Sequence, residues 1–139
     1  MGAWGEGPFD NDDAGDWAYE FDDVDEATGL QILAEALDLG GSDEYIEAPE
    51  GTTAVASAAV VSWLHDPGAI PDSPYGEAAI AWVRRANPKP NASLVEAALV
   101  ALDRVRSDRS ELAELWAESE DVAWRESLAQ IETRLRTRG

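Results

Sequence analysis

The stretch that decides the fold is Ala54-Val-Ala-Ser-Ala-Ala-Val-Val-Ser-Trp-Leu64. Ala54, Val55, Ala56, Ala58, Ala59, Val60, Val61, Trp63 and Leu64 fall on all sides of a helix and leave it no polar stripe. A helix that is apolar all round is buried on most sides. Its alanines let neighbouring helices approach closely. The pattern predicts a central helix over about Glu50 to His65, with the rest of the chain packed around it.

Outward from that helix the chain reads as amphipathic helices joined by breakers. On the N-terminal side, Asp23 and Glu26 have capping-box spacing. Ala27, Leu30, Leu33, Ala34 and Leu37 then share one face of a helix that runs to about Leu39. Gly29 costs about 1 kcal/mol relative to alanine inside a helix, which favours a start after it. Gly40-Gly41 is the stop. Ser42 to Pro49 reads as a loop, with room for a short extended piece, and Tyr45 and Ile46 are expected to turn inward.

On the C-terminal side, Asp66 to Pro74 is rich in Pro and Gly, and Ser73-Pro74 suits the N-cap and first position of another helix. Ala79, Ile80, Trp82 and Val83 face inward there, with Arg84-Arg85 at the negative end of the helix dipole. Asn87-Pro88-Lys89-Pro90 breaks it. Ser93 and Glu96 form a second capping box ahead of Leu94, Val95, Ala98, Leu102 and Val105. Ser110 caps a helix carrying Leu112, Leu115 and Trp116. In the last helix Trp124, Leu128, Ile131 and Leu135 recur like one coiled-coil seam, in a segment short enough to pack on the domain. The expectation is one all-α domain over residues 1–139, with six or seven helices around the Ala-rich centre.

The first residues, Met1-Gly-Ala-Trp-Gly-Glu-Gly-Pro-Phe-Asp-Asn-Asp-Asp-Ala-Gly-Asp-Trp-Ala-Tyr-Glu-Phe21, are the least ordinary. Gly5 and Gly7 leave little bulk between Trp4 and Phe9, which predicts an ordered, tight turn that buries Trp4. Asp10 or Asn11 suits an N-cap, Asp12 and Asp13 a first turn. Ala14, Trp17, Ala18 and Phe21 recur on one helix face. A metal site from Asp10, Asp12, Asp13 and Asp16 is the sharper alternative, with Asp10, Asp12 and Asp16 as ligands. Against a calcium loop, Asp10, Asp12 and Gly15 fit, but Ala14 and Phe21 stand where oxygen ligands are needed. A phosphate loop at Gly5-Glu6-Gly7 lacks the third glycine and a preceding strand.

The residues Gly2, Trp4, Gly5, Gly7, Phe9, Asn11, Asp12, Ala14, Asp16 and Trp17 together resemble the opening of a bacterial family, the domain of unknown function numbered 4259. Ser110-Glu111, followed by Leu115-Trp116, resembles a later segment of that family, and the run Ala54 to Leu64 its middle helix. The resemblance implies an acid inside that run; this chain has none between Glu50 and Asp66. The resemblance implies no activity and no catalytic residues.

Composition narrows the functions. The apolar fraction of 45% is that of a globular chain. With no cysteine there is no disulfide and no thiolate metal site. A single histidine, His65, excludes multi-histidine centres. As a general base it would need Asp66 or Asp72 as partner; a role in capping its helix is the expected one. No signal sequence or membrane-spanning run is present, which suggests a cytoplasmic protein.

The net charge is −19. Residues 1–83 hold 19 acids and no Lys or Arg, whereas residues 84–139 hold 10 of each sign. Phosphate-binding basic clusters are missing, which argues against nucleic acid, and anionic membranes would repel the chain. The expected function is a small acidic protein-binding module, of the inhibitor or immunity kind, that docks on a basic protein. Asp22, Asp23, Asp25 and Glu26 are the candidate contacts. No cofactor is expected and an enzyme is not the favoured reading, although pairs such as Asp10/Asp12 or Asp22/Asp23 could do acid–base work if deeply buried.

Overall fold

The computed structural model describes residues 16–39, 45–66, 77–86, 88–89, 92–107, 109–119 and 123–136. Residues 16–18 are helical and lead into a 3₁₀ helix at Tyr19–Phe21. Then come α1 (Glu26–Leu37), α2 (Ala48–His65), α3 (Glu77–Ala86), α4 (Ala92–Val105), α5 (Glu111–Ser119) and α6 (Ala123–Arg136). Among the described residues the only β pairing is an isolated parallel bridge between Ile46 and Ser110. The fold is all-α. One hydrophobic cluster runs from Trp17 to Leu135 and draws on every helix. The glycine- and tryptophan-rich opening, with Trp4, Gly5, Gly7, Phe9, Asp10, Asn11 and Asp12, lies outside the described residues.

Helix α2 is the centre. Thirteen of its 18 residues are buried, and α1, α3, α4, α5 and α6 all touch it. Burying a hydroxyl requires a partner. Ser57 donates to the Leu33 carbonyl of α1 at 2.9 Å and Ser62 to Ala59 within α2 at 2.6 Å. The expected stripe of α6 is also core: Trp124, Leu128, Ile131 and Leu135 are all buried.

Several boundaries differ from the expected ones. Helix α1 is capped by Asp25, whose carboxylate accepts from the Thr28 N–H at 2.7 Å. Asp23 cannot be that cap: its φ of 61° is left-handed, whereas an N-cap residue is extended, as Asp25 is. The helix runs straight through Gly29 and ends at Leu37. Gly29 is buried, and a Cβ there would overlap the Trp82 indole. The missing side chain leaves room for the Trp82 indole of α3 against α1. Helix α4 is already helical at Ala92, so the Ser93 hydroxyl falls inside the first turn and does not cap it. Helix α2 starts at Ala48, with Pro49 in its first turn. Ser110 does cap α5, accepting from the Ala113 N–H at 3.3 Å.

The C-terminal helix is clasped to α4 by charge. Arg106 donates to Glu132 at 2.7 Å and to Asp103 at 2.9 Å, while Arg136 donates to Glu132 at 3.0 Å. The bonds from Arg106 and then Arg136 hold the Glu132 carboxyl below the usual glutamate range. A depressed folded-state value stabilises the fold above the ordinary glutamate value, and that contribution is lost as pH falls through the lowered one.

Two substitutions test the packing with opposite signs. Gly29→Ala should lower stability by about 2 kcal/mol or more, through overpacking against Trp82. At Gly51 an added Cβ would meet Ile46 at 3.5 Å and Leu112 at 3.6 Å, ordinary contacts. Gly51→Ala should therefore raise stability by about 0.5–1 kcal/mol. Urea midpoints check both, and a fall at Gly51 would contradict this packing. Glu132→Gln should cost about 1 kcal/mol at neutral pH. Its deficit against the parent chain should shrink in urea titrations repeated at pH values falling through the depressed Glu132 value.

Candidate functional site

The acidic segment 16–26 is built on an aromatic footing. Trp17, Ala18 and Phe21 are buried. The Trp17 and Phe21 rings meet edge to face at 5.1 Å, and Phe21 leans on Trp82 at 5.0 Å. The chain then reverses: the Asp22 N–H returns to the Tyr19 carbonyl at 3.0 Å. Asp23 takes the left-handed conformation that aspartate tolerates better than most residues. Two side chains of α3 hold the reversal from behind. The Trp82 indole donates to the Asp25 carbonyl at 3.2 Å and the Arg85 guanidinium to the Val24 carbonyl at 3.0 Å.

With the aromatics inside, the polar residues point out. Asp16, Tyr19, Glu20, Asp22, Asp23, Asp25 and Glu26 are all exposed, Tyr19 at 72%. The nearby cation, Arg85, donates to a backbone carbonyl. Ion pairs join Asp103, Arg106, Glu132 and Arg136, and among the described residues none involves an acid of this segment. Asp25 differs from its neighbours. Its carboxyl is held below the usual aspartate range by the side-chain and backbone hydrogen bonds with Thr28, so it serves the helix.

The other candidates are scattered. Among the described residues no group of three or more His, Asp or Glu is placed to hold a metal. Asp16 is exposed, and Asp10 and Asp12 lie outside the described residues, as does Asp72. His65 is the last residue of α2, half-buried, with exposed Asp66 next to it. Asp22 and Asp23 lack the burial that acid–base work by that pair would require.

A second acidic group, which sequence reasoning missed, surrounds Tyr45. Alternate residues of an extended segment face opposite sides. Ile46 goes into the core, so Tyr45 and Glu47 point outward, and Tyr45 is 49% exposed rather than tucked in. Ile46 pairs its backbone with Arg109 at 2.8 Å and Glu111 at 2.9 Å. The Tyr45 hydroxyl donates to Glu114 at 2.8 Å. Lost hydration at the phenol, that bond, and the charges of Glu114, Glu111 and Glu47 push Tyr45 up to about 12. The Glu111 carboxylate accepts from the Ala48 N–H at 2.7 Å, placing negative charge at the positive end of α2. The only hint in the sequence was the adjacent pair Ser110-Glu111. Its two members cap two different helices, and the partner of Glu111 is 63 residues away.

The chain is thus a helical domain with an exposed acidic turn, and no helix among the described residues is long and apolar enough to cross a membrane. The profile of the domain of unknown function (DUF4259) matches residues 2–127, and the chain belongs to that family. No curated protein and no solved structure matches it significantly. The match ends inside α6, yet Leu128, Ile131 and Leu135 beyond it are core residues.

Removing the Glu111 carboxylate should loosen the start of α2 and its bridge to α5. Glu111→Ala is expected to cost about 1 kcal/mol, and amide exchange should quicken at Ala48 and Ile46. Unchanged exchange at both sites would contradict the capping role.

Proposed function

We propose that this protein is a small acidic binding module, of the inhibitor or immunity kind, that docks on a basic protein partner in the bacterial cytoplasm. The observation that carries this reading is the turn at residues 16–26: exposed acids without ion-pair partners, on a backbone fixed by Phe21, Trp82 and Arg85. A fixed turn has little conformational entropy left to lose on binding. Clustered like charge draws an oppositely charged partner, and it discourages like-charged ones. Tyr19 stands among the acids as an exposed aromatic, a residue type common at the energetic centre of interfaces. The charge asymmetry of the whole chain points the same way, since residues 1–83 contain no Lys or Arg.

The experiment is capture of partners from native lysate at low and moderate salt, followed by association kinetics with the purified partner. One stoichiometric basic partner is expected, with an on-rate that falls steeply as salt rises. The triple change Asp22→Asn, Asp23→Asn and Glu26→Gln should slow association by about tenfold or more. Asn at position 23 keeps the left-handed backbone accessible, and Asp25 is left alone because it caps α1. A partner whose binding ignores both salt and the triple change would sink the proposal, as would an empty capture under conditions where the family's host expresses the protein.

A further inference from the structure

Between α1 and α4 lies a groove of about 280 Å³, lined by Leu30, Ala34, Lys89, Ser93, Leu94 and Ala97. Its walls are apolar, and Leu30, Leu94 and Ala97 are only half-buried. Its polar residues sit at one end. Lys89 precedes α4 and Ser93 belongs to its first turn, where the positive end of a helix also favours an anion. Lys89 is the single lysine of the chain. It is exposed, and among the described residues it has no hydrogen bond or ion pair. The cation belongs to the α4 side of the groove, whereas α1 carries Glu26 and Glu35. Residues 78–95 contain Arg84, Arg85 and Lys89 and not one acid, and Arg85 is occupied with the Val24 carbonyl.

An apolar trough with one cation at its end is complementary to a chain with one anion at its end. Small-molecule sites usually enclose roughly 300–1,000 Å³, so this one suits a short occupant. We propose that the groove between α1 and α4 binds a short amphiphilic carboxylate, its alkyl chain on Leu30, Ala34, Leu94 and Ala97 and its carboxylate at Lys89. This site is separate from the acidic turn and takes a ligand of opposite charge to the partner expected there.

The test is titration of the full chain with octanoate, octanol and octylammonium, all below micellar concentrations, followed by amide chemical shifts. The overall charge of −19 favours the octylammonium. A preference for the carboxylate must therefore come from a local cation. Octanoate should bind tightest and shift residues 89, 93, 94 and 97 together. Lys89→Gln should weaken octanoate by about three- to fivefold, the scale of an exposed ion pair, and leave octanol unchanged; Lys89→Arg should restore it. Ala34→Trp, at an exposed wall position, should block both octanoate and octanol. Equal or tighter binding of octylammonium, octanoate shifts spread away from the groove, or an octanoate affinity indifferent to Lys89→Gln would each overturn the proposal.

Discussion

The structure depends on the burial of α2. A helix with no polar face cannot be covered by one neighbour, so five others close around it. The run of alanines makes this possible, because small side chains let several helix axes come near at once. The cost of such a helix is its hydroxyls. Ser57 and Ser62 are fully buried, and a buried hydroxyl without a partner is destabilising. Ser62 bonds to a carbonyl within its own helix. Ser57 bonds to Leu33 of α1. That bond is directional, so it sets the relative register of α1 and α2, which apolar packing alone leaves loosely specified.

From α1 the constraint passes to the acidic turn. Gly29 lets the Trp82 indole lie on the helix, and the same indole reaches the carbonyl of Asp25, the residue that caps that helix. Phe21 packs against the ring. One tryptophan therefore joins the position of α3, the start of α1 and the aromatic footing of the exposed acids. The acids of residues 16–26 have few contacts of their own, yet their backbone is placed by the core.

The parts of this arrangement that were legible in the sequence are those governed by near neighbours. The α6 stripe of Trp124, Leu128, Ile131 and Leu135, the all-apolar centre and the Ser110 cap each depend on residues within one or two turns. Misreadings came where a distant residue decided. Gly29 looked like a reason for a helix to begin later, but Trp82, 53 positions on, fills the space a side chain would take. Asp23 and Asp25 are equivalent as letters. The left-handed backbone at Asp23 follows from the reversal after Phe21, and that conformation removes it as a cap. Tyr45 looked like a core residue by type, yet Ile46 took the inward position and strand alternation turned Tyr45 out. The acidity of the candidate turn was plain in the sequence, while the fixing of its carbonyls by Trp82 and Arg85 was not.

The distribution of charge follows from the same geometry. The ion pairs among Asp103, Arg106, Glu132 and Arg136 lie at the end of α4, between that end and α6, and within α6, in the part of the chain where acids and bases are balanced. The first 83 residues have no Lys or Arg, and Arg85, which does reach the turn, serves a carbonyl. Hydration makes this tolerable. Two unit charges about 10 Å apart in water repel by only about 0.4 kcal/mol, and physiological salt screens them over roughly 8 Å. An exposed acidic turn thus costs the fold little while it faces water. The same charges interact far more strongly once a second surface displaces that water. An acid-rich edge on a fixed backbone is therefore cheap in isolation and strongly selective on contact, which is the combination a binding module for basic proteins requires.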